Sequence, residues 1–241
     1  MSDRIPALGL GTAWLRKEAG KDALRAALGH GCRSFDCAKV YGNEALVGEV
    51  LKEAVDSSAV KREELYIASK VWNDDHRPDM VASACRASLA RLQLSYLDLY
   101  LVHWPVHWRK GTIGCPDSGV TMAETWEAME RLVDEGLVRE IGVSNFGPKK
   151  LGELLQTCRI RPVVNQVELH PQLQQPALVK FCQDNKVTVT AWSPLFKGKN
   201  QGQVSATRGT ALQGVVFSLT CAASGLPSGF SLLPRHHRGQ T

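Results

Sequence analysis

Short apolar runs alternate with helical patterns along most of this chain, and this alternation constrains the fold more than any other feature. The helical patterns lie near residues 19–30, 43–55, 78–92, 124–136, 147–157 and 175–186. The seven strand candidates are mostly apolar, at residues 7–12, 34–38, 66–71, 97–103, 138–144, 163–169 and 187–193. Apolar strands separated by crossover helices predict a parallel sheet that is buried on both faces. Gly31 and Gly136 follow helical patterns, where a glycine commonly ends a helix.

Two parallel architectures fit this pattern, a (β/α)8 TIM-type barrel and an open, doubly wound sheet, and periodicity does not choose between them. The barrel is favoured because no G-x-G-x-x-G fingerprint follows the first strand. Trp14 stands five residues after Gly9, where that fingerprint requires a small residue. Gly9 and Gly11 are therefore interpreted as turn glycines. The length of 241 residues is close to the roughly 250 of an α/β barrel.

The composition of the chain changes after about Phe196. Residues 197–241 are rich in Gly, Ser and Thr, and the apolar run Leu212 to Ala223 fits either a strand or a short helix. Without a convincing eighth βα unit, the sequence predicts an incomplete barrel of about seven βα strands over residues 1–197. Residues 198–241 are expected to be a disordered or loosely packed tail. Failure to close the barrel would expose the edges of its first and seventh strands.

The composition argues against several classes of protein. A net charge of +5 without a concentrated basic patch does not indicate a nucleic-acid partner. Neither a signal peptide nor an apolar segment of membrane-spanning length is recognised, so no membrane partner is expected. Seven dispersed cysteines without a C-x-x-C pair indicate free thiols, and we expect a cytoplasmic protein. No metal site is expected, since His236 and His237 have no acidic or cysteine partner nearby.

Four chemically active side chains follow three successive predicted strands. Asp36 and Tyr41 lie at the end of the second strand and in its loop, Lys70 ends the third strand, and His103 ends the fourth. The carboxyl ends of barrel strands form one face, which carries the active site in this architecture. Taken singly, each residue fits a cap, turn, surface or packing role. Their coincidence at one rim favours a catalytic group.

These four residue types form a coherent proton donor. A free tyrosine has a pKa near ~10, and an ammonium within hydrogen-bonding reach is expected to lower that pKa. Asp36 would hold Lys70 charged and oriented, and Tyr41 would then give its proton to a carbonyl oxygen that His103 orients. A hydride for the carbonyl carbon must come from a cofactor, because no side chain supplies one.

Seven stretches carry a resemblance to a known family. They are GLGTAW (9–14), FDCAKVYGNEALVGEVL (35–51), SKVWN (69–73), LDLYLVHWP (97–105), IGVSNF (141–146), NQVELHP (165–171) and AWSPL (191–195). In this order, over roughly residues 5–197, they resemble the signatures of the aldo-keto reductases. The resemblance implies NADPH-dependent reduction of aldehydes or ketones to alcohols on a (β/α)8 barrel. It places a catalytic tetrad on Asp36, Tyr41, Lys70 and His103, with Tyr41 as the proton donor.

The same resemblance implies where a nicotinamide cofactor and a carbonyl substrate would bind. The carboxamide would be held by Ser144, Asn145 and Gln166, with Thr12 beside the nicotinamide. The ring would stack on Trp192, where the family usually has a tyrosine, and the pyrophosphate loop would include Ser193 and Leu195. The walls of an apolar substrate pocket would be Trp14, Trp72 and Trp104, next to His103, although tryptophans are as often core residues.

The C-terminal part of the chain departs from the family pattern. Residues 197–241 do not reproduce the eighth strand, nor the arginine that grips the 2′-phosphate of NADPH. Loss of such a contact would weaken NADPH binding by tens to thousands of fold, at roughly 2–5 kcal/mol. Alternatives are therefore a catalytically impaired truncated isoform, a cofactor-binding or partner-binding protein on this scaffold, and a regulatory subunit of a membrane channel. The resemblance otherwise implies a monomer that acts on a small carbonyl compound.

Overall fold

The structure, a computed structural model, describes residues 4–195 and the backbone of residues 215–220. Eight parallel strands form a closed barrel in chain order. The strands are β1 (Leu8–Gly11), β2 (Ser34–Asp36), β3 (Tyr66–Val71), β4 (Leu97–Val102), β5 (Val138–Ser144), β6 (Val164–Glu168), β7 (Thr188–Trp192) and β8 (Val215–Thr220). The α-helices of the described residues are α1 (Lys17–Gly29), α2 (Glu44–Asp56), α3 (Pro78–Leu92), α4 (Met122–Asp134), α5 (Pro148–Thr157) and α6 (Pro176–Asp184).

The predicted TIM-type barrel is confirmed, with seven parallel strands and alternating helices over residues 4–195. The structure adds an eighth strand from the apolar run 212–223, pairing Val215 with Val189 of β7 and Phe217 with Leu8 of β1. The expectation that β1 and β7 would have exposed edges is therefore wrong, because β8 lies between them. The rest of the predicted tail, residues 198–214 and 221–241, lies outside the described residues.

The helix ends follow local sequence signals. The side chain of Thr121 accepts a hydrogen bond from the Glu124 amide, and the Glu124 carboxylate accepts one from the Thr121 amide, so that a capping box starts α4. Proline occupies the first turn of α3, α5 and α6, where its missing N–H is tolerated. The predicted helix-ending glycines are confirmed, since Gly31 has φ 86° and Gly136 has φ 71°.

Gly9 and Gly11 lie inside β1 and not in a turn, so the interpretation of them as turn glycines is wrong. A Cβ atom on Gly9 would lie 2.8 Å from the Ser34 Oγ atom of β2. The glycine therefore permits the close approach of β1 to the Ser34 side chain on the neighbouring strand.

Strand alternation determines which side chains enter the barrel. Residues two apart on a strand share a face, so Ala68 lies on the same side of β3 as Lys70, and Leu101 on the same side of β4 as His103. A small apolar cluster of Tyr66, Ala68, Leu99, Leu101 and Val164 fills part of the interior. Lys70 and His103 follow these residues toward the carboxyl ends of their strands. A larger apolar core packs the strands against the helices.

The amino ends of the strands carry an ionic group that we call the basal cluster: Arg62, Tyr96, Asp98 and Arg139. Asp98 Oδ2 accepts hydrogen bonds from the Ile67 amide at 2.9 Å and from Arg62 Nη2 at 2.7 Å. The Tyr96 ring lies between two guanidinium groups, with the Cζ atoms of Arg62 and Arg139 at 3.9 and 4.0 Å from its centroid. Cation–π contacts of this kind stabilise the end of the barrel at which the strands begin.

Candidate active site

The structure brings Asp36, Tyr41 and Lys70 into direct contact at the carboxyl ends of β2 and β3. Lys70 is fully buried, and its Nζ atom lies 2.7 Å from both carboxylate oxygens of Asp36 and 2.9 Å from the Cys37 carbonyl oxygen. The same Nζ atom lies 3.2 Å from the Tyr41 hydroxyl oxygen. Tyr41 ends a single 3-10 turn, Lys39–Tyr41, which Gly42 closes in the left-handed conformation. The three residues form a buried ion pair with a phenol at its edge.

Burial is the largest influence on the Tyr41 hydroxyl, and it raises the pKa above its ordinary value. The Lys70 ammonium acts in the opposite direction, as the sequence predicted, but it does not outweigh burial. The net shift of the Tyr41 pKa is therefore upward, although Lys70 lowers it. Burial opposes the charge on Lys70, yet Asp36 and Tyr41 raise its pKa overall. At neutral pH the pair is a protonated phenol beside a fixed cation.

His103 directly follows β4 and completes the predicted group of four. Its ring meets the Tyr41 ring edge-on at 6.0 Å and the Trp72 ring edge-on at 4.9 Å, measured between centroids. Burial, followed by the charges on Lys70 and His76, lowers the His103 pKa to about 2. Its Nδ1 atom is buried without a hydrogen-bond partner among the described residues. His103 is thus a neutral imidazole in contact with the phenol.

Four of the residues predicted to bind the cofactor form one hydrogen-bonded group with this site. Thr12 donates to the Asp36 carbonyl oxygen through its amide and its hydroxyl, both at 3.0 Å. Gln166 Nε2 donates to Asp36 Oδ1 at 3.1 Å. Ser144 Oγ donates to the Gln166 carbonyl oxygen at 2.8 Å. Asn145, with a positive φ of 63°, donates through Nδ2 to the His103 carbonyl oxygen at 2.9 Å.

The remaining predicted cofactor residues follow β7. Trp192 ends this strand, and its Nε1 atom donates to Asn145 Oδ1 at 3.1 Å, which fixes the orientation of that amide. Ser193 is buried and has a positive φ of 52°, so the chain turns sharply after the strand. Leu195 is 52% exposed. The structure therefore places Trp192 and Asn145 together, and carries Ser193 and Leu195 into the loop beyond them.

The predicted tryptophan walls differ in their exposure. Trp72 packs edge-on against His103, whereas Trp14 is 64% exposed and Trp104 is 39% exposed. Sequence reasoning missed Trp108, whose ring meets the Trp72 ring edge-on at 5.5 Å. The signal was the cluster of aromatic residues around the motif that carries His103 (residues 97–105). Two large exposed rings and one ring against His103 suit the mouth of a pocket better than a core.

Three carboxylates near the site were also missed: Glu44, Asp74 and Asp75. Glu44 is buried beneath β3, where it accepts hydrogen bonds from Ser69 Oγ at 2.6 Å and from Arg91 Nη2 at 2.6 Å. Asp74 and Asp75 lie in the 3-10 turn Asn73–Asp75 after β3 and bind lysines from two other loops. The signal for Asp74 and Asp75 was available, because acids in the loop after a barrel strand lie on the face that carries the active site in this architecture.

The chain matches a family of known proteins over most of its length. The model of the Aldo/keto reductase family matches residues 7–210 of this chain. The chain belongs to the aldo/keto reductase family. The resemblance seen in the sequence is thereby confirmed, and the match extends past residue 197, where the sequence predicted the family pattern to end.

Individual aldo/keto reductases give the same result. An aldo/keto reductase of Synechocystis is 47% identical over 204 residues, which cover 81% of this chain and 62% of that protein. Aldo-keto reductase family 4 member C11 of Arabidopsis thaliana is 40% identical over 242 residues, covering 96% of this chain and 77% of that protein. A solved aldose reductase from Schistosoma japonicum is 44% identical with a TM-score of 0.76, covering 80% of this chain and 67% of that one. This aldo/keto reductase chain spans less than two thirds of the Synechocystis protein.

Proposed function

We propose that this aldo/keto reductase chain reduces an aldehyde or ketone to the alcohol with NADPH, using Tyr41 as the general acid. The observation that carries the proposal is the contact of the Tyr41 hydroxyl with a fully buried Lys70 that Asp36 holds charged. Membership of the family supports it. Among the described residues, no helix combines the length and apolarity needed to cross a bilayer.

The chemistry of the proposed step follows from these groups. The carbonyl oxygen would accept hydrogen bonds from the Tyr41 hydroxyl and from the neutral His103 ring, which together orient it. Tyr41 transfers its proton to that oxygen as negative charge develops there. The resulting phenolate lies beside the Lys70 ammonium, which stabilises it inside a site of low polarity. Because its pKa is raised, Tyr41 is protonated at neutral pH before the transfer begins.

The residues at the ends of β5, β6 and β7 fit a nicotinamide. A carboxamide needs both hydrogen-bond donors and acceptors, and these are present on the side chains of Ser144, Asn145 and Gln166. Trp192 offers an aromatic face. When bound, NADPH supplies the hydride for the carbonyl carbon. Thr12, Ser193 and Leu195 complete the set of residues proposed to hold it. The sequence does not reproduce the arginine that holds the 2′-phosphate in the family, and residues 196–214 and 221–241 lie outside the described residues.

The substrate is proposed to be a small carbonyl compound with an apolar body. Trp72 would form the wall next to His103. Trp14 and Trp104 would line the mouth, since Trp14 is 64% exposed and Trp104 is 39% exposed. Apolar walls with a few placed polar groups are typical of small-molecule sites. We also propose that the chain acts as a cytoplasmic monomer, and size-exclusion chromatography with light scattering tests its oligomeric state.

A second function deserves a test because the chain spans 62% of the Synechocystis relative. On this alternative the chain binds cofactor or a partner protein but does not turn over. The residues proposed to hold the carboxamide would be retained. The contact with the 2′-phosphate of NADPH would be missing.

One experiment separates the two functions. Purified chain is titrated with NADPH and with NADH by tryptophan fluorescence, and NADPH oxidation is followed with a simple aldehyde. Saturable NADPH binding together with aldehyde-dependent oxidation supports the reductase. Saturable binding without oxidation supports the second function. Equal affinity for NADPH and NADH indicates that the protein makes no favourable contact with the 2′-phosphate of NADPH.

A further inference from the structure

A second ionic group lies at the carboxyl rim, beside the proposed catalytic residues, and we call it the rim clamp: Lys39, Asp74, Asp75 and Lys110. Asp75 is buried and forms ion pairs with both Lys39 and Lys110. Asp74 accepts a hydrogen bond from Lys39 Nζ at 3.3 Å and from the Gly111 amide at 3.2 Å. The two acids come from the loop after β3, whereas the two lysines come from the loops after β2 and β4.

Each lysine belongs to a segment that also carries a site residue. Lys39 begins the single 3-10 turn that Tyr41 ends, so anchoring the Lys39 side chain restrains the backbone of the proton donor. Lys110 lies in the segment 103–121, which begins with His103 and contains Trp108. The Trp108 amide donates to the Asn73 carbonyl oxygen at 2.9 Å, which docks this segment on the loop that carries the acids.

A series of aromatic contacts also connects the segment 103–121 with Tyr41. Trp108 packs edge-on against Trp72, Trp72 against His103, and His103 against Tyr41. The Tyr41 turn and the segment 103–121 are therefore joined by two routes. One route is the series of aromatic contacts, and the other is the rim clamp.

We propose that Asp75 is a positioning residue for the reaction, which sets the distance between the Tyr41 turn and the segment 103–121 through Lys39 and Lys110. This inference rests on the proposed function for its kinetic consequences. Its structural consequence, the restraint of two loops, does not depend on turnover. Small displacements of a reacting group reduce rates strongly, because proton transfer requires close alignment.

The two lysines are predicted to have different kinetic effects. Lys39→Met frees the turn of the proton donor, so kcat falls about tenfold while KM for the aldehyde changes less. Lys110→Met frees the segment with Trp108, so KM for a bulky aldehyde rises about fivefold while kcat changes less. Asp75→Asn weakens both anchors and combines the two effects, since Asp74 alone still pairs with Lys39 at 3.3 Å and with Lys110 at 3.7 Å. Lys39→Arg and Lys110→Arg retain the charge and should restore most of each constant.

Asp98→Asn is the matched control, since Asp98 is an equally buried aspartate with two cations in the basal cluster. It should lower the melting temperature about as much as Asp75→Asn does, while kcat and KM stay within twofold of wild type. If Lys39→Met and Lys110→Met also leave both constants within twofold of wild type, the positioning role is overturned. It is likewise overturned if Asp75→Asn loses no more activity than Asp98→Asn.

Hydrogen exchange tests the same proposal without any turnover. In Asp75→Asn, amide exchange should rise at least tenfold in peptides that cover residues 39–42 and 108–112, and stay unchanged in those peptides for Asp98→Asn. This outcome in a chain that does not oxidise NADPH retains the clamp and rejects only the reductase. Unchanged exchange in both peptides rejects the clamp, whatever the activity.

Discussion

The two ends of the barrel carry the same three kinds of group, arranged differently. Each has a buried aspartate, a cation paired with it, and a tyrosine in contact with that cation. At the rim these are Asp36, Lys70 and Tyr41, and at the base they are Asp98, Arg62 and Tyr96. At the rim the cation meets the tyrosine hydroxyl at 3.2 Å. At the base the cation lies over the tyrosine ring, 3.9 Å from its centroid.

This difference decides what each cluster can do. An ammonium next to a phenolic oxygen stabilises the phenolate, which is what the proposed transfer of the Tyr41 proton requires. A guanidinium over an aromatic face gains cation–π and packing energy, and arginine stays charged in proteins. The basal cluster is therefore expected to contribute stability, whereas the rim cluster has the arrangement that the proposed proton transfer requires. Removing corresponding groups at the two ends tests this comparison directly.

The largest expected effect comes from the two tyrosine hydroxyls. Tyr41→Phe removes the proposed proton donor, and turnover should fall by roughly 10²–10⁴. Tyr96→Phe removes a hydroxyl that has no hydrogen-bond partner among the described residues and keeps the ring between the two arginines. Its turnover should equal that of wild type. Initial rates of NADPH oxidation and melting curves check both variants, and unchanged turnover in Tyr41→Phe would remove the mechanism.

The two cations should differ next. Lys70→Met leaves the buried Asp36 carboxylate without its cation, which should lower the free energy of unfolding by about 3–5 kcal/mol. Arg62→Met should lower it by about 2 kcal/mol, because Asp98 keeps the Ile67 amide and the ion pair with Arg139. Urea denaturation measures the free energy of unfolding of both variants. Equal losses would mean that the remaining partners of Asp98 do not compensate for the loss of Arg62.

Lys70→Met also predicts a shift in pH dependence. The Lys70 charge lowers the Tyr41 pKa, and the Asp36 charge raises it. Without the lysine the Tyr41 pKa rises further, so the alkaline fall in kcat/KM of the residual reduction should move to higher pH. The profile of Arg62→Met should match wild type. A shift to lower pH in Lys70→Met would contradict the assignment of Tyr41 as the acid.

Much of the rim was predictable because parallel strands bring their carboxyl ends to one face. Asp36, Lys70 and His103 could be placed together from three successive strand ends, and the structure does place them together. Tyr41 follows from its position in the loop after β2. Their catalytic roles stay predictions. The barrel itself was predicted from the alternation of apolar strands and helices.

The rest depended on distances that the sequence does not encode locally. The contact of Gln166 with Asp36 joins β6 to β2 across the barrel interior, and only closure of the barrel creates it. The net direction of the Tyr41 pKa required the balance of burial against the Lys70 charge. Tyr96 lies between two arginines that are far apart in sequence. The eighth strand was not recognised, because its apolar run had no helical or motif context to identify it.

Acid should weaken the rim more than the base. The His103 pKa of about 2 lies far below its ordinary value, so the folded protein keeps this ring neutral while the unfolded chain takes up a proton as pH falls below about 6.5. Stability is therefore lost as pH falls, by about 2 kcal/mol from this residue between pH 6.5 and pH 5. The guanidinium groups of the basal cluster do not titrate in this range.

Urea denaturation at the two pH values measures this loss. His103→Asn should lose about 2 kcal/mol less than wild type over the interval. His76, whose pKa is lowered to about 3 chiefly by burial, continues to contribute in both variants. An identical pH dependence in His103→Asn and wild type would mean that the imidazole is not held neutral by the fold.

The smallest expected effect compares a tryptophan of the proposed cofactor site with a tryptophan of the core. Trp192→Phe keeps an aromatic face at the end of β7 but removes the N–H that donates to Asn145 Oδ1, a neutral hydrogen bond of about 1 kcal/mol. NADPH affinity should fall about fivefold, because Asn145 is no longer held in one orientation. Trp126→Phe removes a comparable N–H bond, to the Ile160 carbonyl oxygen in the core. It should lower the melting temperature and leave NADPH affinity unchanged. Equal NADPH affinities in the two variants, measured by calorimetry, would show that Asn145 needs no partner to be oriented.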